Sequence, residues 1–254
     1  MSNPFAMDGQ CVLVTGASSG LGRHFSLTLA KAGARVAVCA RRTDRLASLV
    51  DEIESFDGRA MAFSMDVTDP ESIAAAVDGA ETELGPLSVL VNNAGLSVQK
   101  SAVDMTPDDY DLVMNTNVKG AYFVALEAGR RMIAHGHGGS IINISSVASF
   151  RPLSQLSTYC MSKAAVTHMT KTLALEWARY NVRVNSIAPG YIETEINSDY
   201  FATEQGKAFV KKFLRRRIGV PENLDGALMM LATSAGDFMT GEQVVVDDGL
   251  NLAM

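Results

Sequence analysis

Residues 11–22 read Cys11-Val12-Leu13-Val14-Thr15-Gly16-Ala17-Ser18-Ser19-Gly20-Leu21-Gly22. The first four residues are apolar, which is typical of a strand buried on both faces, and apolar residues at helical spacing follow from about Leu21 to Ala32. A strand, a glycine-rich turn and a helix in this order can bind phosphate, because glycines let a pyrophosphate approach the backbone and the helix N-terminus offers free N–H groups. The spacing Gly-x3-Gly-x-Gly differs from the commoner Gly-x-Gly-x-x-Gly, so the flanking strand and helix carry the prediction. The residues predicted to bind a dinucleotide here are Gly16, Ser18, Ser19, Gly20, Leu21 and Gly22.

The rest of the chain alternates between strand patterns and helix patterns. Seven strand candidates alternate with helices over residues 1–254, and no repeat, low-complexity tract or linker divides them. This alternation predicts an α/β fold with a single doubly wound (Rossmann) domain, in which a seven-stranded parallel sheet has helices on both faces.

The composition excludes several classes of protein. The chain is 47% hydrophobic, which suits a globular protein with a large core, and its net charge of −6 argues against nucleic-acid binding. Its first residues lack the pattern of a secretory signal, and no run of eighteen apolar residues predicts a membrane span. The three scattered cysteines suggest reduced thiols rather than disulfides or a zinc site. We therefore expect a cytoplasmic protein that needs no metal, no nucleic acid and no membrane.

The second strand candidate, residues 35–40, bears on the choice of coenzyme. In a dinucleotide fold an acidic residue at the end of this strand binds the adenosine ribose 2′-hydroxyl, but here Ala40 is followed by Arg41 and Arg42. Guanidinium groups suit a phosphate on the 2′-oxygen, so we expect a preference for NADP, with NAD still possible. The alternative is that both arginines are solvated charges in front of the next helix.

Two further strand ends supply candidate coenzyme contacts. Asp66 and Val67 follow the third strand candidate, where the Asp66 carboxylate could accept the adenine amino group. Asn93, Ala94 and Gly95 follow the fourth, where small residues would let the coenzyme ribose lie against the backbone. This second stretch could also be a simple turn.

A tyrosine, a lysine and a serine form the candidate reactive group. Tyr159 and Lys163 are four residues apart in a predicted helix from Thr158 to Tyr180, so both side chains should leave one helix face. A nearby positive charge favours the phenolate, which makes Tyr159 a candidate proton donor and acceptor near neutral pH. Ser146 follows an apolar run, and its hydroxyl could bond the same substrate oxygen. The alternative is that Tyr159 and Lys163 are merely surface neighbours.

Five motifs together resemble the short-chain dehydrogenase/reductase family, in particular its 3-oxoacyl reductase-like members. They cover essentially the whole chain in the family's order and spacing. They are Thr15–Gly22, Asn92–Gly95, Ser146 thirteen residues before Tyr159, the motif Tyr159-Cys160-Met161-Ser162-Lys163, and Pro189-Gly190. The chain departs from the family near its end, where relatives more often carry Asp-Gly-Gly and this chain has Asp247-Asp248-Gly249.

The resemblance implies a hydride transfer in which Tyr159 exchanges a proton with the substrate oxygen. Ser146 would orient and polarise that oxygen. Lys163 would bind the nicotinamide ribose hydroxyls and lower the pKa of Tyr159. Asn117 would hold a water that links Lys163 to solvent, a role that rests on the resemblance alone.

The resemblance also implies a segment that closes over the coenzyme. Pro189, Gly190, Ile192 and Thr194 would lie at its nicotinamide end. Residues 191–219 form a predicted substrate lid, in which aromatic side chains are interleaved with basic ones. The basic side chains could meet an anionic substrate, such as an acyl thioester of coenzyme A or carrier protein, or form one solvated helix face. Family members commonly assemble through their C-terminal segments, so we expect a homo-oligomer, a tetramer or a dimer.

The sequence thus predicts an NADP(H)-linked oxidoreductase acting on a carbonyl or secondary alcohol group of a small molecule. Reduction of a 3-oxoacyl thioester and NAD-linked oxidation of a polyol or sugar acid are the alternative substrate classes. A non-catalytic dinucleotide sensor is an alternative of another class, which the presence of both Tyr159 and Lys163 disfavours.

Overall fold

A computed structural model describes residues 3–195 and 197–252. Within these residues, seven parallel strands form one sheet in the order β3-β2-β1-β4-β5-β6-β7. The strands are β1 Cys11–Thr15, β2 Arg35–Ala40, β3 Arg59–Ser64, β4 Leu87–Asn92, β5 Gly139–Ile144, β6 Val182–Pro189 and β7 Gln243–Val246. The predicted doubly wound fold is confirmed.

Helices connect the strands and cover both faces of the sheet. They are α1 Gly20–Lys31, α2 Thr43–Glu54, α3 Pro70–Leu84, α4 Pro107–Met114, α5 Ala121–His135, α6 Ser157–Trp177, α7 Ser198–Ala202, α8 Glu204–Val210 and α9 Asp225–Ala232. A π-helical turn, Asn115–Gly120, joins α4 to α5. In the described ranges, every helix is too short or too polar to cross a membrane.

Alternate residues of the central strands face two separate cores. On β1, Val12 and Val14 pack with Phe25 and Leu29 of α1, whereas Leu13 packs with residues of α3, α5 and α6 on the other face. All five side chains are fully buried, and burial of one such side chain contributes about 1.5–3 kcal/mol. Because β1 is covered on both faces, its sequence is a continuous apolar run with no polar alternation.

The helices α5 and α6 pack closely at a glycine. A Cβ added at Gly129 would lie 2.7 Å from two ring carbons of Trp177. The ring therefore lies directly on the backbone of α5. This contact fixes the distance between α5 and α6, the helix that carries the predicted Tyr159 and Lys163.

We predict that Gly129→Ala lowers the free energy of unfolding by about 1–3 kcal/mol, because the added methyl group must displace the buried ring of Trp177. Gly226→Ala is the matched control: nothing lies within 4 Å of a Cβ at this position in α9, and alanine favours a helix over glycine. Urea denaturation of both variants and the wild type, at one protein concentration, measures the difference. Stability of Gly129→Ala equal to that of the wild type would contradict this packing.

Candidate active site

The glycine-rich turn lies where β1 ends and α1 begins. Gly16 and Gly20 have φ values of 67° and 53°, which favour glycine. A Cβ added at Gly22 would collide with the Gly16 carbonyl oxygen, so this glycine lets α1 pack against the turn. Ser19 precedes α1 without forming a side-chain cap, and the first turn of α1 contains no acidic residue. The free N–H groups and the positive end of the α1 dipole are therefore available to a pyrophosphate.

Hydrogen bonds join the ends of β1 and β4. The Thr15 hydroxyl accepts from the N–H groups of Asn93, at 2.9 Å, and Ala94, at 3.0 Å, and Asn93 Nδ2 donates to the Thr15 carbonyl oxygen at 2.9 Å. The helices after these two neighbouring strands cover opposite faces of the sheet. A crevice therefore opens between the two strand ends, the usual ligand position in such sheets.

The crevice is a cleft of about 770 Å³, and almost all the predicted site residues line it. The two that do not line it are Gly22 and Asn117, which lie against Gly16 and Gly95. Its lining of glycines, small residues and two arginines fits a dinucleotide. The predicted residues that line the cleft are Gly16, Ser18, Ser19, Gly20, Leu21, Arg41, Arg42, Asp66, Val67, Asn93, Ala94, Gly95, Ser146, Tyr159, Lys163, Pro189, Gly190, Ile192 and Thr194.

Two arginines lie at the end of the cleft next to β2. Arg42 Nη2 donates to Ser18 Oγ and to Ser19 Oγ, both at 2.9 Å. Arg41 lies close enough to Asp66 for its charge to help lower the pKa of that carboxyl group. The Arg42 guanidinium group is thus held beside the glycine-rich turn, and Arg41 lines the same end of the cleft, where both can bind an additional phosphate.

The carboxylate of Asp66 is engaged within its own loop. Its Oδ1 accepts from Thr68 N at 2.9 Å and from Thr68 Oγ1 at 2.7 Å. These two bonds are the main cause of its lowered pKa, ahead of the charge of Arg41. The group is therefore ionised at neutral pH, and its Oδ2 can still accept a hydrogen bond. Its contact with an adenine amino group stays a prediction.

Ser146, Tyr159 and Lys163 meet at the other end of the cleft. Ser146 follows β5, and its Oγ accepts from Ala148 N at 3.1 Å. Lys163 Nζ donates to Ile144 O at 2.8 Å and lies 5.6 Å from the ring centroid of Tyr159. One face of α6 thus presents a phenol and an amine together, as their spacing predicts.

Burial governs the protonation of both groups on α6. Lys163 is 6% exposed, and burial lowers its pKa from the ordinary 10.5 to about 8. Burial also raises the pKa of Tyr159, and a hydrogen bond with Ser146 offsets only part of this increase. The expected lowering of the Tyr159 pKa by the charge of Lys163 stays a prediction, because burial is the largest cause of the shift. Burial disfavours both the phenolate and the ammonium, and it is the first cause of both shifts.

A buried amide holds α6 against the loop after β4. Asn117 Oδ1 accepts from Leu96 N, and Asn117 Nδ2 donates to Leu96 O, both at 2.8 Å. The same Nδ2 donates to Ser162 Oγ at 3.0 Å, and that hydroxyl donates to Tyr159 O at 2.7 Å. The sequence analysis missed Ser162, whose only signal is its place beside Lys163 in the motif. The water held by Asn117 stays a prediction.

The segment after β6 passes over the cleft. The side chain of Thr194 lies beside the glycine-rich turn, because a Cβ added at Gly20 would be 3.8 Å from Thr194 Cβ. Ile192 and Gly219 pair as an isolated bridge. The two ends of residues 191–219 therefore lie side by side at the cleft. A lid would have its ends arranged in this way, and the lid itself stays a prediction.

The basic side chains described in residues 191–219 are not part of the cleft lining, and two of them bind Asp248. Arg215 Nη1 and Arg217 Nε each donate to the Asp248 carboxylate at 2.7 Å. In the described part of this segment, which omits Ile196, no lysine or arginine lines the cleft. This placement favours a solvated face over contact with an anionic substrate inside the cleft.

Two partly buried histidines form structural contacts away from the cleft. His24 Nε2 lies 2.8 Å from Asp225 Oδ1, and His135 Nε2 lies 2.7 Å from Glu81 Oε1. Across residues 3–195 and 197–252, no three histidine, cysteine or acidic side chains come together as metal ligands would.

Comparisons with known proteins agree with this geometry. A family model described as short chain dehydrogenase matches residues 10–205. The 2-dehydro-3-deoxy-D-gluconate 5-dehydrogenase of Escherichia coli is 35% identical over 246 residues, 96% of each chain. The 3-oxoacyl-[acyl-carrier-protein] reductase FabG of Thermotoga maritima is 35% identical over 244 residues, 96% of this chain and 98% of its own. A gluconate 5-dehydrogenase from Burkholderia cenocepacia, solved in complex with NADP and tartrate, superposes with a TM-score of 0.94 at 34% identity, over 99% of this chain and 98% of that one.

We predict that Lys163 makes a pH-dependent contribution to stability. Because folding lowers its pKa from 10.5 to about 8, the unfolded chain binds more protons than the folded one between these values, and stability from this group rises with pH there. The free energy of unfolding of the wild type, relative to Lys163→Met, should therefore increase by about 2–3 kcal/mol from pH 7 to pH 10.

Urea denaturation of the protein without coenzyme, at both pH values, measures this difference. Lys171→Met, which removes an exposed lysine from the same helix, is the matched control and should show no such increase. If the free energies of unfolding of the wild type and Lys163→Met differed by the same amount at pH 7 and pH 10, the lowered pKa of Lys163 would be wrong.

Proposed function

This chain belongs to the short-chain dehydrogenase family, and from that premise we propose that it transfers a hydride between NADP(H) and a carbonyl or secondary alcohol group of a small molecule. One observation carries the proposal. Ser146, Tyr159 and Lys163 converge at one end of a cleft, and Arg41 and Arg42 lie at the other end. One extended dinucleotide in this cleft would present its nicotinamide to the reactive group and its adenosine to the arginines.

The proposed mechanism uses three side chains to place the substrate and move one proton. When bound, the coenzyme supplies or accepts the hydride. Tyr159 Oη gives a proton to the substrate oxygen in reduction, or takes one from the alcohol in oxidation, while Ser146 Oγ holds that oxygen. Lys163 Nζ uses one N–H on Ile144 O and keeps its others for the nicotinamide ribose hydroxyls. The raised pKa of Tyr159 keeps its phenol protonated at neutral pH, the state that reduction needs.

The preference for NADP is part of the same proposal. Its support is the pair Arg41 and Arg42, the absence of an acid at Ala40, and the bound NADP of the Burkholderia cenocepacia relative. NAD would occupy the same cleft without using the two guanidinium groups.

Relatives suggest two substrate classes, sugar acids and 3-oxoacyl thioesters. We keep both as alternatives to a simple carbonyl compound. We also propose that residues 191–219 act as a lid within a single domain of residues 1–254.

A homo-oligomer, a tetramer or a dimer, completes the proposal. Four large apolar side chains on α4 and α5 are between 37% and 51% exposed, and subunit contact would bury them. They are Tyr110, Leu112, Tyr122 and Phe123.

We predict that the wild type oxidises NADPH with carbonyl substrates and that Tyr159→Phe lowers the rate at least 100-fold, because a positioned general acid contributes about 10²–10⁴-fold. The panel holds diketones, 3-oxoacyl thioesters, aldehydes and sugar-derived ketones, and coenzyme absorbance reports the rate. Tyr180→Phe is the matched control, since this tyrosine lies after α6 and outside the cleft. Equal rates in wild type and Tyr159→Phe would refute the proton-donor role. Coenzyme binding without any turnover would favour the sensor alternative.

We predict that Arg41→Ala and Arg42→Ala each raise the KM for NADPH about 10-fold or more and leave the KM for NADH within twofold. The reason is that each removes a charged hydrogen bond to the 2′-phosphate, which NADH lacks. Arg59→Ala is the control, because it makes the same charge change at the amino-terminal end of β3, whereas the cleft lies at the carboxyl ends of the strands. Steady-state kinetics with both coenzymes measure the effect. An unchanged KM for NADPH in both cleft variants would remove the basis of the NADP assignment.

A further inference from the structure

Tyr191 lines the cleft but has no part in the mechanism above. It directly follows Pro189-Gly190, and it borders the same cleft as Ser146 and Tyr159. The sequence offered no reason to single it out, since it is one of several aromatic residues near the predicted lid.

Three phenylalanines of the lid hold the ring of Tyr191. Phe213 stacks on it with a centroid distance of 5.3 Å and an interplanar angle of 18°. Phe209 meets it edge-on at 5.3 Å and 89°, and Phe201 at 6.1 Å and 75°. Such a cluster fixes the ring plane, because each contact has its own preferred geometry.

The backbone of Tyr191 is fixed as well. Its carbonyl oxygen accepts from Gly219 N at 2.9 Å, and Glu193 N donates to Gly219 O at 2.8 Å. These bonds close the base of the lid. The hydroxyl of Tyr191 is therefore a group at a defined position, and not the end of a mobile side chain.

Tyr191 lines the cleft together with Ser146, Tyr159 and Lys163. Its phenol lies close enough to that of Tyr159 to contribute to the raised pKa of Tyr159. Burial raises the pKa of Tyr191 itself, so its hydroxyl is a neutral donor at physiological pH. Among the hydrogen bonds of the described residues, none involves this hydroxyl, although the ring is only partly exposed.

The opposite wall of this end of the cleft adds two more polar groups. Ser97 and Gln99, on the loop after β4, offer a hydroxyl and an amide. Gln99 Nε2 lies 3.4 Å from Gln155 Oε1, a long contact that leaves its amide available. Hydrogen-bonding groups from two different elements thus surround the position of the substrate.

We propose that Tyr191 is a specificity-determining residue, whose hydroxyl donates a hydrogen bond to an oxygen on the carbon next to the reacting one. The proposal rests on the function proposed above, in which Tyr159 holds the reacting oxygen. A donor that lines the same cleft as Tyr159 would bond an oxygen adjacent to the reacting one. The substrate class is therefore α-hydroxy carbonyl compounds and the vicinal diols that they form on reduction.

A pair of ketones that differ by one hydroxyl tests this proposal. The substrates are 2-hydroxycyclohexanone and cyclohexanone, and the variant is Tyr191→Phe, which keeps the ring contacts and removes only the hydroxyl. We expect the wild type to prefer the hydroxy ketone. In Tyr191→Phe its kcat/KM should fall about tenfold, the value of one hydrogen bond between neutral groups, and that for cyclohexanone should stay within twofold. The loss should lie mainly in KM, because the bond forms in the ground state and in the transition state alike.

Three results would overturn the proposal. The first is an equal loss of kcat/KM for both ketones, which would mean that the variant disturbs the site as a whole. The second is an unchanged kcat/KM for the hydroxy ketone. The third is a wild type that turns over other carbonyl compounds but neither of these ketones. Tyr180→Phe is the control and should leave both values unchanged. Failure of the function itself has a different signature, because NADPH would then be oxidised with no member of the panel, or Tyr159→Phe would retain full activity.

Discussion

The site depends on the bonds that tie the end of β1 to the end of β4. The Thr15 hydroxyl accepts two backbone N–H groups of the neighbouring strand end, and Asn93 returns a bond to the Thr15 carbonyl. These bonds satisfy polar groups at the point where the two chains diverge to opposite faces of the sheet, and a polar group left unsatisfied there would be costly. They also press Ala94 against Gly16, so the crevice has a floor of backbone without side chains. A dinucleotide can therefore lie directly on the main chain.

Burying an amine beside a phenol is electrostatically unfavourable, and the hydrogen bonds around the two groups reduce this cost. Lys163 donates to its carbonyl partner Ile144, and burial lowers its pKa to about 8, so its ammonium is still the main form at neutral pH and has a hydrogen-bond partner. Asn117 and Ser162 use their own hydrogen-bonding groups on Leu96 and on the backbone of α6, which fixes this helix without adding charge. The result is a hydrogen-bonded network of polar groups beside the reactive side chains. Proton transfer benefits from such a network, because few of its groups need to reorganise.

The sequence predicted those features that depend on local pattern. Buried parallel strands appear as apolar runs, and the spacing of Tyr159 and Lys163 places both on one helix face, so the sheet and the reactive pair could be predicted. The inward position of Asn117 depends on a π-helical turn, which forms when α4 and α5 pack and has no local signature. The direction of the Tyr159 pKa shift depends on how far the folded protein buries the phenol, which the sequence does not show. Tyr191 is distinguished only by its three aromatic neighbours, which lie 10 to 22 positions later in the chain.

Asp248 adds exposed ion pairs to the segment of residues 191–219, which is also closed by backbone bonds. Its φ of 54° is a left-handed conformation that aspartate tolerates better than most residues, and its carboxylate binds both Arg215 and Arg217. These ion pairs are exposed, so solvent and salt weaken them. The base of the lid is held instead by backbone bonds and by the stacked ring of Tyr191, which solvent screens far less. Salt therefore weakens the contacts of Asp248 more than it weakens those of Tyr191.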